Sequence, residues 1–309
     1  MINMSAGHKP IKTRQPGALE FVCNIVPSPE DSRDYVYQAA LTPKAKEKLA
    51  KKREVCDHRP EMLPVVNQGS VGSCAAQTAA AIKEWQESMD QGVNSKKSAH
   101  FVYDNRRNKN STGMYCRDLM KILAKKGIPE EFDWPYRRDK ADGEKIKEIP
   151  EDVYKRALNN RTKSYYRVDT IEDLEDTLRK HGPCMVASPV YNYGMEMWKP
   201  EYPEQKRVGG HAMTVVGFIK DKDGDRFVIR NSWGSRWGDR GHTYLYYEDF
   251  DCVWEFWACI DDISKPVKEN WAYRWKKAVG HVKDNALIYA SAAVSLAVIG
   301  ASIALNLAG

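Results

Sequence analysis

Asn67-Gln68-Gly69-Ser70-Val71-Gly72-Ser73-Cys74-Ala75-Ala76 is the stretch that decides how this chain is read. A loop with two glycines runs into an alanine-rich segment, Cys74 to Met89, which Gly92 closes, so the spacing predicts a helix with a cysteine in its first turn. A helix N-terminus presents unpaired N–H groups and a partial positive charge, and both favour thiolate, the form of cysteine that attacks carbonyls. Gln68, six residues earlier, can bring a side-chain N–H to the same point, where with the Cys74 backbone N–H it would form an oxyanion hole. A lone cysteine is usually a small buried hydrophobe. The helix position and the glutamine argue for a nucleophile here.

A thiolate nucleophile needs a base, and the base an orienting group. Of the seven histidines, His211 has the supporting context: Gly209-Gly210-His211-Ala212 opens an apolar strand, Ala212 to Ile219. Asp221-Lys222-Asp223-Gly224-Asp225 reads as a hairpin turn into a second strand, Arg226 to Asn231. Folding the chain about that turn brings His211 and Asn231 together to within a few positions. An asparagine oxygen can accept from the imidazole and fix its tautomer, and Trp233 can shield that bond from water.

Gln68, Gly72-Ser73-Cys74, Gly210-His211-Ala212 and Asn231-Ser232-Trp233-Gly234 together resemble the papain-like (cathepsin-type) cysteine peptidases. His211 lies 137 and Asn231 157 residues after Cys74, against about 130–150 for that family. Val55-Cys56-Asp57-His58-Arg59, Gly127-Ile128 with Trp134-Pro135-Tyr136, and Trp237-Gly238 with Gly241 extend the similarity over about 57–262. The resemblance implies a two-lobed α+β fold, a helical lobe followed by an antiparallel β lobe with the cleft between them. It also implies a Cys-His-Asn site: Cys74 attacks a peptide carbonyl as half of a thiolate–imidazolium pair with His211. Gln68 and the Cys74 N–H hold the oxyanion, and Asn231 orients His211. Gly72, Ser73, Gly113, Met114, Gly210 and Trp233 take substrate-binding positions, with a protein or peptide as substrate and no metal or cofactor. Val71 stands where secreted members carry a disulfide cysteine, Ala75 where they carry tryptophan, and Met114 where a glycine usually lines the cleft. The family's long helical propeptide is absent from 1–56. These departures resemble a divergent bacterial and viral branch.

The helical part includes two further amphipathic runs, Asp118 to Lys126 before Gly127 and Ile171 to Lys180 before Gly182-Pro183. The strands His242 to Tyr247 and Phe256 to Ile260 complete the β part. Residues 1–40 read as loop, with turn formers at Pro27-Ser28-Pro29, and Thr42-Pro43 opens a short basic helix through Arg53. The chain thus divides into a leader 1–56, a peptidase domain 57–262, a basic linker 263–285 and a tail 286–309.

Composition narrows the remainder. Hydrophobic residues at 42% exclude a disordered chain and a polytopic membrane protein. A net charge of +6 and a pI near 8.8 fall short of a nucleic-acid binder. The seven cysteines show no zinc spacing, and no secretory signal is visible, which favours a reducing compartment. Mean hydropathy of −0.63 conceals an exception, for Ala286 to Gly309 is 24 residues without a charge, enough to span a bilayer. The collar before it, 264–285, has net charge +4 and holds Trp271 and Trp275, as expected of a cytosolic flank. The sequence therefore predicts a tail-anchored peptidase facing the cytosol, with a place in a virus particle compatible. An acyl transferase or peptide ligase shares the nucleophile, and a catalytically retired structural module shares the fold. Oligomeric state is not encoded in any pattern.

Overall fold

Strand β4, Gly209–Lys220, is the spine of the molecule, pairing antiparallel with three other strands. The computed structural model describes residues 23–37, 54–92, 94–109, 113–137 and 148–261. Within them lie β1 (Glu54–Asp57), α1 (Cys74–Gln91), α2 (Ala99–Asp104), α3 (Cys116–Lys125) and α4 (Glu151–Ala157). After these come β2 (Thr162–Val168), α5 (Ile171–His181), β3 (Cys184–Val190), β4, β5 (Arg226–Arg230), β6 (His242–Tyr246) and β7 (Glu255–Asp261). The seven strands form one sheet in the order β2-β7-β3-β4-β5-β6, with β1 added to β4.

The sheet separates two cores, and strand alternation decides which residue enters which. Met185, Ala187, Ala212, Trp257 and Cys259 face the helices, where they join Ala76, Ile82, Phe101, Leu119 and Leu123. Their neighbours Val186, Met213, Phe256 and Ala258 face the other way, onto Leu174, Leu178, Phe227 and Ile229. The helix ends follow local chemistry. Gly92 closes α1 in the left-handed conformation at φ 65°, and the Thr170 hydroxyl caps α5 by accepting from the Asp173 N–H.

The expected α+β architecture is present, with two adjustments. The segregation of helices before strands is incomplete: among the described residues β1 precedes every helix, and α5 lies between β2 and β3. Strand β1 also straddles the 56/57 boundary drawn from the sequence, since Glu54 to Asp57 pair with Lys220 to Gly217. The basic helix expected through Arg53, the linker 263–285 and the apolar tail 286–309 lie outside the described residues. Among the described residues no helix is long and apolar enough to cross a membrane.

The leader segment Cys23–Tyr37 has no helix or strand of its own, as its turn formers predict, yet it is held against the domain throughout. It bridges to Gly210, to Tyr115 and finally to Arg167 on β2.

Candidate active site

Cys74 stands at the first position of α1, on the helical side, and His211 near the start of β4. The backbone N–H groups of Ala212, Ala75 and Asn24 face the Cys74 sulfur, so the thiol lies beside the residue that follows His211. The histidine donates from Nε2 to Asn231 Oδ1 at 2.7 Å, and the same oxygen accepts from the Ser232 N–H at 2.7 Å. Because two N–H groups converge on it, the amide oxygen faces His211. Nε2 therefore carries the proton and Nδ1 keeps its lone pair. Nδ1 is buried and has no hydrogen-bond partner, which leaves it available as a base. Trp233 stacks on the imidazole at 4.5 Å and 29°, and Trp237 abuts Trp233 edge-on at 5.3 Å. His211, Asn231 and Trp233 are all nearly inaccessible to solvent.

Gln68 is tied to the same loop. Its backbone N–H donates to the Ser232 carbonyl at 2.8 Å, and Ser232 Oγ donates to Gln68 Oε1 at 2.6 Å. That second bond fixes the amide, whose Nε2 donates to the Val71 carbonyl at 3.0 Å. Ser232 thus touches Asn231 with its N–H and Gln68 with its hydroxyl, linking the histidine's partner to Gln68. Tyr136 supports the loop from the helical side: its hydroxyl donates to the Gln68 carbonyl at 2.8 Å and meets Ser73 Oγ at 2.5 Å. Sequence reasoning placed Ser232 and Tyr136 in motifs without giving them tasks. Both tasks depend on contacts across 164 and 68 residues.

The expected substrate-binding residues divide. The Gly210 and Met114 carbonyls accept from the Ile25 and Val26 N–H groups of the leader, while the Met114 side chain is buried in the helical core. Gly113 lies beside Met114, and a Cβ there would collide with the Asn24 carbonyl. Ser73 is turned inward onto Tyr136, and Gly72 is buried. Trp233 packs on the histidine.

Burial works against the thiolate–imidazolium pair expected from the sequence. Burial pushes the Cys74 thiol up, and the N–H groups around it oppose this without prevailing. Burial pushes His211 down to about 4 against the opposing Asn231 bond. Burial therefore opposes charge on both groups. All seven cysteines are free. Among the described residues, no group of three or more His, Cys, Asp or Glu is placed to hold a metal ion.

Comparison with known proteins bears on the fold and the family. An uncharacterized peptidase C1-like protein of Acanthamoeba polyphaga mimivirus is 27% identical over 238 residues, covering 68% of this chain and 74% of that protein. Cysteine proteinase 3 of Entamoeba histolytica is 26% identical over 199 residues, 62% of each chain. Among solved structures, xylellain, a cysteine protease from Xylella fastidiosa, superposes with a TM-score of 0.66 at 27% identity, covering 80% of this chain and 99% of that one. The family model described as papain family cysteine protease matches residues 50–256, about two thirds of the sequence, and the chain accordingly belongs to the papain family of cysteine peptidases.

Proposed function

We propose that this chain hydrolyses peptide bonds through Cys74, His211 and Asn231, with Gln68 as oxyanion donor. The observation that carries the reading is the buried His211–Asn231 bond beneath Trp233, which leaves Nδ1 unpartnered on the histidine whose neighbour, Ala212, directs its N–H at the Cys74 sulfur. Nδ1 takes the thiol proton as sulfur attacks the carbonyl carbon. The oxyanion is held by the Cys74 N–H and Gln68 Nε2. His211 returns the proton to the leaving amine, then deprotonates a water that releases the acyl group from sulfur. Asn231 keeps the proton on Nε2 throughout, so Nδ1 is the atom that cycles.

Labelling by an epoxide-type thiol trap tests the assignment. Labelling is expected to disappear in Cys74→Ala and to persist in Cys184→Ala, whose thiol is buried in the opposite core. Retained labelling at the active site of Cys74→Ala refutes it.

The proposal includes the membrane. Residues 286–309 are uncharged and preceded by a basic, tryptophan-bearing collar, which supports a C-terminal anchor with the peptidase on the cytosolic side. Carbonate extraction of membranes from expressing cells is expected to leave the full-length chain in the pellet and to release a chain ending at 262. Release of both refutes the anchor.

A further inference from the structure

We propose that Arg207 is a specificity residue at the rim of the cleft, selecting peptides that carry a carboxylate side chain three or four residues from the bond that is cut. The proposal rests on the peptidase reading above and adds a substrate class to it, acidic peptides. Arg207 lies four residues before His211, on the stretch that leads into β4. The ladder is already forming there: the Val208 N–H donates to the Val190 carbonyl at 2.7 Å, and Gly209 and Gly210 pair with Val190 and Pro189. On the other side of Arg207, Gln205 ties the loop down, its N–H donating to the Tyr202 carbonyl and its side chain to the Tyr191 carbonyl, each at 3.0 Å. Arg207 is therefore exposed but hangs from fixed backbone.

Trp254 fixes the side chain. Its N–H donates to the Ala187 carbonyl at 2.8 Å, and its indole lies so close to Gly210 that a Cβ there would collide with the ring. The Arg207 guanidinium carbon sits 5.1 Å from the centre of the same ring system. One side chain thus touches both the glycine that precedes His211 and the cation at the rim. A guanidinium over an aromatic face loses water on one side, which strengthens its attraction for an anion on the other. Among the described residues no carboxylate pairs with it, whereas Arg59, Arg117 and Arg226 are each forked onto an aspartate. Glu255, next to Trp254 in the chain, is buried, and its two oxygens accept from the Ser28 N–H and from Trp257 Nε1.

The strand sets the register. The Ala212 N–H faces the Cys74 sulfur, and Arg207 lies five residues earlier, about 16 Å away at ~3.3 Å per extended residue. A bound peptide in extended form advances by the same step. With the reach of both side chains taken from that span, the carboxylate that meets Arg207 belongs to a residue three or four places from the cleaved bond. At the rim the pair stays partly in water, so it acts as a selector of moderate strength and as a guide to encounter.

The test is cleavage by the full chain of a peptide library in which Glu or Lys is scanned through each position on both sides of the bond, read by mass spectrometry. Arg207→Glu is compared with wild type and with Lys163→Glu, an equal change of charge at an exposed position on β2. In wild type, Glu at the third or fourth residue is expected to give a kcat/KM about tenfold above Lys at the same place, since one is attracted and the other repelled. Arg207→Glu is expected to abolish or reverse that ratio, Lys163→Glu to keep it, and about 0.5 M salt to shrink it in wild type. The same Glu-to-Lys ratio in wild type and Arg207→Glu overturns the proposal and leaves the peptidase reading standing. So does an equal loss in Lys163→Glu, which would be an effect of net charge. A library that wild type leaves uncut removes the peptidase reading instead. The rim site is then decided by binding of the same Glu and Lys peptides to the Cys74→Ala chain, where equal affinities overturn it.

Discussion

Replacing Asn231 by alanine probes the step on which the mechanism turns. Its Oδ1 accepts two buried N–H groups, from His211 Nε2 and from Ser232, each at 2.7 Å. Alanine leaves both donors without an acceptor, at about 1–3 kcal/mol each, and relieves the burial of the unpartnered Asn231 Nδ2. The net loss of stability is about 2–3 kcal/mol, or roughly 4–12 °C in Tm for a domain of this size. Catalysis suffers separately, because without its acceptor the imidazole is free to carry its proton on Nδ1, where it cannot act as base. Trp233 still stacks on the ring at 4.5 Å, so orientation is only partly lost. The expected fall in kcat/KM is about 10- to 100-fold, equivalent to ~1.4–2.7 kcal/mol. The assay is peptide cleavage, with thermal melting alongside. Asn231→Asp is the control: a carboxylate accepts the same bond but favours the imidazolium, so the acidic limb of the pH profile moves to higher pH. Asn231→Ala activity within about twofold of its parent, with an unchanged pH profile, refutes the orienting role.

Gln68→Ala is expected to lower kcat by about 10²–10³ with little change in KM, while Gln68→Glu keeps the Oε1 acceptor for Ser232 and loses only the Nε2 donor, so equal losses assign the effect to that donor. His58 supplies a pH test. Burial opposes its charge, but the Cys56 thiol, the Leu178 carbonyl and the Glu61 carboxylate outweigh burial and carry it up to about 9. A raised folded pKa means the contribution is complete below the unfolded value near 6.5 and is lost as pH rises through 9, so melting temperature should fall over that window in the parent and less in His58→Gln. Lys83 is fully buried between Glu87, at 3.1 Å, and Asp261. Lys83→Met should cost about 3–5 kcal/mol, seen as a lower midpoint in urea, because it leaves the buried Glu87 and the partly buried Asp261 without their cation.

How much of this was legible in the sequence depends on the range of the interaction. The helix of Cys74, the hairpin at Asp221–Asp225 and the His211–Asn231 pairing follow from local periodicity and a turn that folds the chain back on itself, and each appears where expected. Strand β3 was invisible because it is buried on both faces and so has no alternation, and because Pro189 reads as a breaker. Helix α2, six residues long, is too short to show a period. The leader's docking left no signal for a different reason: its bonds to Gly210 and Met114 run backbone to backbone, and backbone atoms are the same in every residue. The charge state of Cys74 and His211 is not legible from residue order either, because it depends on hydration, and burial opposes charge on both.

Strand β4 has a consequence for anyone altering this protein. His211 lies on the same face of the strand as Met213 and Val215, and the partnership of β3 and β4 runs without interruption from Cys184–Val215 to Ser188–His211. A slip of one residue would turn the histidine to the opposite face. The tolerance of the reaction is therefore set by methionine and valine side chains that substrate never meets. Substitutions chosen at Met213 or Val215 for thermal robustness will register as changes in turnover, so the two traits cannot be tuned independently along this strand.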